Sequence, residues 1–275
     1  MSATFDRRVM AAALALSQRG RARTVPNPNV GCILVQQGVI VGRGWTQPGG
    51  RPHAEAMALV EAGEAARGAT AYVTLEPCAH QSARGPACAD SLISAGVARV
   101  VIALTDPDPR TNGEGIARLQ GAGITVDTGL CETEARRAMA GWLMQRRHGR
   151  PLVTLKLATS LDGCVARADG ESKWITGEVA RRHGHLERAR SNAILVGRGT
   201  YDADAPRLDA RLPGLGELSP QRLLLTRGAA PDGWTAIATP ADIAGLADVH
   251  YLMVEGGAQT AALGRRAHPR AGHRV

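Results

Sequence analysis

The segment Pro52-His53-Ala54-Glu55 is followed by Glu76-Pro77-Cys78 and then by Cys88. One imidazole and two thiolates are ligands that zinc prefers, and three protein ligands leave the fourth tetrahedral position for water, as in catalytic zinc sites. Glu55 lies two residues after the histidine and can carry protons without binding the metal. The segment therefore predicts a catalytic zinc centre with His53, Cys78 and Cys88 as ligands and Glu55 as the catalytic proton shuttle.

His-x-Glu followed by Pro-Cys and a further cysteine is the arrangement of zinc-dependent base deaminases. The usual second spacing is Cys-x-x-Cys, whereas nine residues separate Cys78 from Cys88, with His80 and Arg84 between them. A long loop can still bring a thiolate back to the metal. The unusual spacing therefore affects the assignment of Cys88 as a ligand more than it affects the predicted deamination. Taken alone, His53 would more often be a packed or solvated histidine, and a buried cysteine is usually a small hydrophobe.

Length and charge set limits on the domain count and on the partners. The chain has 275 residues, which suits one large domain or two medium ones. Aromatic residues make up only 3%, so we expect an aliphatic core. The net charge of +8 would favour a nucleic-acid partner if the charge were clustered. Four arginines between residues 264 and 275 supply half of it and the rest is scattered, so no nucleic-acid partner is predicted.

Cysteine usage and hydropathy predict a cytoplasmic protein without a membrane span. Five widely spaced cysteines do not form a disulfide framework, and two of them are assigned to metal. Cys32, Cys131 and Cys164 are interpreted as unpaired packing residues. No apolar run reaches the ~18 residues of a transmembrane helix, and the first residues contain no cleavage-like site of a signal peptide.

The order of the predicted elements favours an α/β fold in two domains. A helix over 5–18 precedes a hairpin of strands 30–35 and 39–45, and Pro52 opens a helix whose first turn contains His53 and Glu55. Strands 70–75, 98–104 and 124–128 then alternate with helices 88–95, 113–121 and 131–146. This alternation predicts a mostly parallel sheet covered by helices on both faces. Pro151 stops the last helix and strand 152–158 begins a new unit, so the predicted domains are 1–148 and 149–275.

Longer motifs in both halves resemble one family, the bifunctional riboflavin-biosynthesis deaminase/reductases. The first half contributes Asn27-Pro28-Asn29-Val30-Gly31-Cys32, Pro52-His53-Ala54-Glu55, Thr74-Leu75-Glu76-Pro77-Cys78-Ala79-His80 and Thr105-Asp106-Pro107-Asp108-Pro109. The second contributes Leu155-Lys156-Leu157-Ala158-Thr159-Ser160-Leu161-Asp162-Gly163, Gly170-Glu171-Ser172-Lys173-Trp174-Ile175-Thr176, Leu195-Val196-Gly197-Arg198-Gly199-Thr200 and Val254-Glu255-Gly256-Gly257. The order and spacing are retained from residue 5 to about residue 263.

The resemblance implies a three-layer cytidine-deaminase-like domain followed by a dihydrofolate-reductase-like α/β domain. The first domain of such proteins removes the 2-amino group of a diaminopyrimidinone that carries a ribosylamino 5′-phosphate. The second reduces the ribose of the resulting aminouracil to a ribityl chain with NADPH. Zn²⁺ and NADPH are the implied cofactors, phosphorylated pyrimidines are the implied substrates, and we expect a homo-oligomer.

The resemblance also implies site residues. In the first domain, Asn27 and His80 fall at pyrimidine-contact positions, Arg84 is the expected phosphate partner, and Thr46 stands where a substrate-contacting histidine is frequent. The expected cofactor-binding residues are Ala158, Trp174, Thr176, Thr200, Asp204, Gly256 and Gly257. The expected substrate-binding residues of the second domain are Ser172, Arg188, Leu208, Arg211 and Glu255. Arginine forks suit a ribose phosphate, and glycines at 197, 199, 256 and 257 let backbone amides approach a pyrophosphate.

Two departures from the family pattern concern the second domain. Family members usually have a paired Asp-Asp before a proline, but this chain has Asp204-Ala205-Pro206. One carboxylate is therefore missing at the edge of the expected cofactor site. Residues 264–275 show no apolar periodicity, and the interval from Arg211 to Val254 is short. We expect a truncated or frame-shifted C-terminus that leaves the second sheet incomplete, with exposed edges. Reductase activity or stability should then be impaired while deamination survives, and near-normal NADPH-dependent turnover of the aminouracil would contradict this expectation.

Two other functions share parts of this sequence pattern. A nucleic-acid or free-nucleotide deaminase would use the same zinc site but would have a basic channel near the metal in place of a second catalytic domain. The motifs between Lys156 and Glu255 argue against it. A non-catalytic scaffold needs no proton shuttle, so the intact His53, Glu55 and cysteine set argues against that alternative.

Overall fold

A computed structural model describes residues 2–80, 85–169, 175–256 and 260. The chain divides into two units, one up to Arg146 and the other from Arg147 onward. The first unit contains strands β1 (Gly31–Gln36), β2 (Val39–Trp45), β3 (Thr70–Val73), β4 (Arg99–Ile102) and β5 (Thr125–Thr128). Its helices are α1 (Ala3–Ser17), α2 (Ala54–Ala62), α3 (Cys88–Ser94), α4 (Glu114–Gly121), α5 (Glu132–Ala138) and α6 (Ala140–His148).

The first sheet is mixed, with strand order β2-β1-β3-β4-β5. The predicted hairpin is confirmed, because β1 and β2 pair antiparallel, with a register shift between Leu34 and Val35. Strand β1 also pairs antiparallel with β3, whereas β3, β4 and β5 are parallel to one another. The predicted parallel arrangement is therefore confirmed for the three strands that alternate with helices, and the sheet is mixed because β1 runs opposite to both of its neighbours.

Small residues let two helices pack closely on this sheet. A Cβ atom on Gly31 of β1 would lie 2.0 Å from the Ala13 carbonyl oxygen of α1. Gly44 of β2 approaches α2 in the same way, since its Cβ would lie 2.0 Å from the carbonyl oxygen of Ala54. The close fit of β2 against α2 fixes the start of that helix, where His53 is located.

A buried polar network connects α1 to the central strands. Asp6 on α1 accepts hydrogen bonds from the Tyr72 hydroxyl at 2.6 Å and from Arg99 at 2.8 Å. Arg99 also pairs with Asp127 on β5. The hydrogen bonds and charge of Arg99 keep the pKa of Asp6 below its ordinary value despite burial. The carboxylate is therefore ionised and satisfied inside the fold.

The second unit is built on a parallel sheet. Its strands are β6 (Leu152–Lys156), β7 (Ala193–Gly197), β8 (Gln221–Leu225), β9 (Thr235–Ile237) and β10 (Tyr251–Glu255), and its helices are α7 (Glu178–Ala189) and α8 (Arg198–Asp204). The strand order is β6-β10-β7-β8-β9, and every neighbouring pair is parallel. Alternate strand residues enter two apolar clusters, one with Leu195 and Val254 and the other with Val196 and Met253. A parallel sheet buried on both faces explains the continuous apolar runs of these strands.

Two local predictions differ from the structure. The predicted helix 131–146 is interrupted at Met139, where α5 ends before α6 begins. Cys164 is exposed, so its interpretation as a packing residue is wrong, whereas Cys32 and Cys131 are buried. All five cysteines are free. Among the helices in the described ranges, none is long and apolar enough to cross a membrane.

Candidate functional sites

A candidate metal centre lies in the first unit, where loops that follow the strands lead into helices. The ligand atoms of His53, Cys78 and Cys88 lie within 4.8 Å of one another. The Nδ1 atom of His53 is 3.3 Å from the Cys88 Sγ and 3.7 Å from the Cys78 Sγ. Tetrahedral zinc at its usual distances from nitrogen and sulfur separates such a pair of ligand atoms by about 3.6 Å. The three side chains therefore fit zinc in both donor chemistry and spacing.

Each of these three residues is placed by the end of a different element. His53 is the N-cap of α2, with extended backbone, so it precedes the first helical turn in which it was predicted. Cys88 is the first residue of α3, and Cys78 lies in the loop after β3. The backbone N–H of Cys88 donates a hydrogen bond to the Cys78 sulfur at 3.3 Å. This amide favours the thiolate form that a metal requires.

Cys78, Cys88 and Glu55 shift one another's pKa values. The Cys88 thiol donates to the Cys78 sulfur, which lowers the pKa of Cys78 and raises that of Cys88. Glu55 follows His53 in the first turn of α2 and is buried, with 3% of its surface exposed. Burial raises the pKa of Glu55 from 4.5 to about 7, with a further contribution from the nearby Cys78 charge. The carboxyl group is thus held beside the metal ligands in a largely dry environment.

A cavity of about 350 Å³ opens on this centre. Asn27 lines it, and its amide nitrogen is 3.0 Å from His53 Nε2 and 2.7 Å from the Gly50 carbonyl oxygen, so it orients the imidazole. His80 also lines the cavity, with its ring nitrogen 3.4 Å from the Thr111 hydroxyl. The predicted phosphate partner Arg84 lies outside the described residues.

Thr46, the residue that departs from the family pattern, also lines this cavity and is buried. Its hydroxyl accepts a hydrogen bond from the Val30 backbone N–H at 3.0 Å. The side chain therefore ties β2 to the segment before β1.

Other polar residues of this cavity were missed by sequence reasoning. Glu76 is buried and lines the cavity beside Asp106, Asp108, Arg110 and Arg146. Asp108 is 2.6 Å from Arg110 and 2.9 Å from Arg146, and the hydrogen bond from Arg110 lowers the pKa of Asp108 to about 2. Burial raises the pKa of Asp106 to about 6. The Thr105 to Pro109 motif marked this segment, but nothing in it predicted the pairing with Arg146.

The second unit contains a cavity of about 1020 Å³ at the carboxyl ends of its strands. This is the edge at which open parallel sheets bind ligands. The residues predicted for cofactor or substrate that line it are Ala158, Arg188, Thr200, Asp204, Leu208, Glu255 and Gly256. Lys156, Arg198 and Arg227 also line it. Its size and its cationic side chains fit a phosphorylated dinucleotide.

Five predicted residues of the second unit are not placed in this cavity by the structure. Ser172, Trp174 and Gly257 lie outside the described residues. Thr176 and Arg211 are described but are not among the residues that line the cavity. The Arg211 side chain is 56% exposed and lies 3.3 Å from Asp209. The roles of these residues stay predictions.

Two predicted substrate residues of the second unit bind each other. Arg188 contacts Glu255 through two parallel hydrogen bonds of 2.7 and 2.8 Å, and Lys156 lies 3.6 Å from the same carboxylate. Burial alone would raise the pKa of Glu255, but the hydrogen bonds and charge of Arg188, with the charge of Lys156, lower it. Glu255 is therefore an ionised carboxylate on the cavity wall, and the Arg188 fork is already occupied.

The glycines expected to admit a pyrophosphate differ in their surroundings. A Cβ atom on Gly197 would lie 2.4 Å from the hydroxyl of Thr260, so packing within the unit accounts for this glycine. Gly199 has no atom within 4 Å of its Cβ position. Open space beside Gly199 is consistent with close approach of a ligand.

Family models match both units. Residues 3–104 match the cytidine and deoxycytidylate deaminase zinc-binding region, and residues 151–238 match the RibD C-terminal domain. Together with the two cavities, these matches define the class as a zinc-binding deaminase-type unit joined to a second α/β unit. The chain belongs to the RibD family of riboflavin biosynthesis proteins.

Relatives and solved structures give the same result. The chain is 54% identical to riboflavin biosynthesis protein RibD of Escherichia coli K12 over 212 residues, or 77% of this chain and 58% of that protein. It is 45% identical to the Aquifex aeolicus RibD over 221 residues, or 80% of this chain and 62% of that protein. The chain thus spans less than two thirds of these relatives' length.

Two solved structures are similar over nearly the whole chain. RibD of Acinetobacter baumannii, form 1, has a TM-score of 0.86 at 38% identity, covering 96% of this chain and 84% of that one. A Thermotoga maritima structure has a TM-score of 0.87 at 31% identity with the same coverage. The latter is described as a diaminohydroxyphosphoribosylaminopyrimidine deaminase/5-amino-6-(5-phosphoribosylamino)uracil reductase.

Proposed function

We propose that the chain is a riboflavin-biosynthesis enzyme that carries out two successive reactions. The first unit hydrolytically deaminates 2,5-diamino-6-(5-phosphoribosylamino)pyrimidin-4(3H)-one. The second reduces the ribosyl chain of 5-amino-6-(5-phosphoribosylamino)uracil with NADPH, and we expect this second activity to be impaired while deamination survives. The observation that carries the proposal is that His53, Cys78 and Glu55 line one cavity, with the Cys88 ligand atom within 4.8 Å of those of His53 and Cys78. The description of the Thermotoga maritima relative as a deaminase/reductase supports both substrates.

In the deaminase unit, His53, Cys78 and Cys88 would hold zinc, and Asn27 would orient His53. Bound zinc supplies the Lewis acidity that makes water a nucleophile near neutral pH. Glu55 takes a proton from the attacking water and delivers it to the departing amine, which leaves as ammonia while the ring carbon keeps the oxygen. Asn27 and His80 contact the pyrimidine from the cavity wall, and Arg84 binds the phosphate.

In the reductase unit, bound NADPH supplies the hydride that reduces the ribose. Ala158, Thr200, Asp204 and Gly256 line the cavity and bind the cofactor, with Trp174, Thr176 and Gly257 as further predicted contacts. Arg188, Leu208 and Glu255 line the same cavity and bind the substrate, with Ser172 and Arg211 as further predicted contacts. The bidentate pair of Arg188 and Glu255 fixes both side chains, so these two groups are already positioned before the substrate binds.

Separate assays of the two reactions test the proposal. Ammonia release is measured with the diaminopyrimidinone, and NADPH oxidation is measured with the aminouracil. We expect ammonia release to require zinc and no NADPH. Release of ammonia from cytidine, deoxycytidylate or single-stranded DNA, with none from the diaminopyrimidinone, would favour a different base deaminase. No turnover of any of these compounds by the zinc-loaded chain would favour a non-catalytic scaffold. The cytoplasmic location and the homo-oligomeric state stay predictions from the sequence.

A further inference from the structure

Arg51 lines the cavity of the first unit and keeps its charge unpaired. It lies two residues before the metal ligand His53, and it is half-buried. Among the residues that the structure describes, none forms a hydrogen bond or an ion pair with its guanidinium group. A cation that is partly removed from water without a counter-ion is unfavourable. Its presence on a cavity wall therefore indicates an anionic ligand.

The two other arginines of this cavity are already compensated. Arg110 and Arg146 lie 2.6 and 2.9 Å from the same carboxylate, that of Asp108. The low pKa of Asp108 keeps this carboxylate ionised between them. Among the described residues that line the cavity, Arg51 is thus the arginine whose donors are all available to a ligand.

The acidic residues of the cavity are engaged elsewhere and do not neutralise Arg51. Glu76 accepts hydrogen bonds from backbone N–H groups of the segment 106–116. Asp106 accepts one from the backbone N–H of Asp108 at 2.8 Å. Glu55 is buried beside the metal ligands. An anionic group at Arg51 would therefore not displace an existing acidic partner.

The Arg51 side chain extends toward the segment that leads into α3. Its Nη1 atom lies 3.2 Å from the position that a Cβ atom on Gly85 would occupy. Gly85 has a φ of +141°, and its lack of a side chain leaves this side of the guanidinium group uncovered. Arg51 thus reaches from the segment that carries His53 to the segment that carries Cys88.

We propose that Arg51 is a further substrate-binding residue of the deaminase unit, whose guanidinium group binds the 5′-phosphate and makes this unit prefer the phosphorylated diaminopyrimidinone. This inference rests on the proposed deaminase function. The pyrimidine ring must reach the metal ligands, so the phosphate at the other end of the substrate lies toward solvent, where Arg51 is half exposed. A guanidinium fork matches the geometry of a phosphate. This role is separate from the one predicted for Arg84.

The test compares ammonia release by the full zinc-loaded chain from two compounds, the diaminopyrimidinone with its 5′-phosphate and the same compound without it. Arg51→Gln removes the charge, and Arg51→Lys keeps the charge but loses the fork. The matched control is Arg8→Gln, which changes an exposed arginine of α1 that does not line the cavity. Zinc content is measured for every protein, because Arg51 lies close to His53 in the chain.

We expect the wild-type chain to have a higher kcat/KM for the phosphorylated compound. Arg51→Gln should lower this kcat/KM by about tenfold, the effect of one charge-assisted hydrogen bond, mainly through KM. The kcat/KM for the unphosphorylated compound and the zinc content should stay unchanged. Arg51→Lys should recover part of the loss, and Arg8→Gln should behave as the wild type.

Four results would overturn the inference. Equal loss with both compounds, or loss of zinc from Arg51→Gln, would show that Arg51 has a structural role. An unchanged preference in Arg51→Gln, together with a reduced preference in Arg110→Gln, would assign the phosphate to the paired arginines. Equal use of both compounds by the wild type would exclude phosphate recognition and leave the deaminase function intact. No ammonia release from either compound would overturn the deaminase function and this inference with it.

Discussion

Glu76→Gln should destabilise the first unit more than any exposed glutamate substitution. The buried carboxylate of Glu76 accepts hydrogen bonds from the backbone N–H groups of Asp106, Gly113, Gly115 and Ile116, at 3.0 to 3.2 Å. Glutamine has the same shape but replaces one acceptor oxygen with an NH₂ group. At least one backbone donor then faces another donor inside the protein, and the remaining contacts lose their charge assistance.

The expected cost follows from these contacts. A hydrogen bond to a charged group contributes about 1.5–3 kcal/mol, and a buried donor without an acceptor costs about 1–3 kcal/mol. We therefore expect Glu76→Gln to lower the free energy of unfolding of the first unit by about 2–4 kcal/mol. The substitution should also loosen the segment from Asp106 to Gly113, which lines the metal cavity.

Urea unfolding of the zinc-loaded chain measures the loss of stability, and hydrogen exchange of individual amides assigns that loss to the first unit. The amides of Gly113, Gly115 and Ile116 should lose protection in Glu76→Gln. Glu61→Gln is the control, because Glu61 forms a surface pair with Arg43 and is 41% exposed. Such a pair contributes about 0–1 kcal/mol. Equal stability of the two variants, with unchanged protection of the three amides, would refute the structural role assigned to Glu76.

Two further predictions concern pH and packing. Burial lowers the pKa of His250 to about 4, so between about pH 6.5 and 4 the unfolded chain binds a proton that the folded chain does not. Stability of the second unit should therefore fall by on the order of 3 kcal/mol as the pH decreases through this window, and His250→Gln should remove most of that slope in urea titrations. Gly44→Ala places a methyl group 2.0 Å from the Ala54 carbonyl oxygen, so α2 must move and carry His53 with it. Zinc content should fall in Gly44→Ala and stay unchanged in Gly121→Ala, whose added methyl group meets no atom within 4 Å; equal zinc content in both would contradict the packing argument.

Features that depend on neighbouring residues were predictable from the sequence. The metal triad follows from ligand types and their order, and the structure brings the three side chains together despite the nine residues between Cys78 and Cys88. The hairpin follows from Gln37-Gly38 between two apolar runs, with both residues at positive φ. In each case the information lies in a short segment or in a distinctive chemical set.

Features that depend on distant residues were not predictable from a single sequence. Strand β10 is the last described strand, yet it lies between β6 and β7 in the sheet. The pairing of Arg188 with Glu255 joins residues 67 positions apart, and neither motif specifies the other as its partner. Asp108 and Arg146 are likewise 38 positions apart. Only the packed fold decides which charges meet, because each of these side chains could have paired elsewhere.

Zinc content and ammonia release, measured together on the wild-type chain and on Glu55→Ala, test the deaminase site most directly. The predicted result is one zinc per chain in both proteins, with ammonia released from the diaminopyrimidinone by the wild type and at least about 100-fold more slowly by the variant. Equal deamination by the two zinc-loaded proteins, or no zinc in the wild type, would contradict the proposed chemistry.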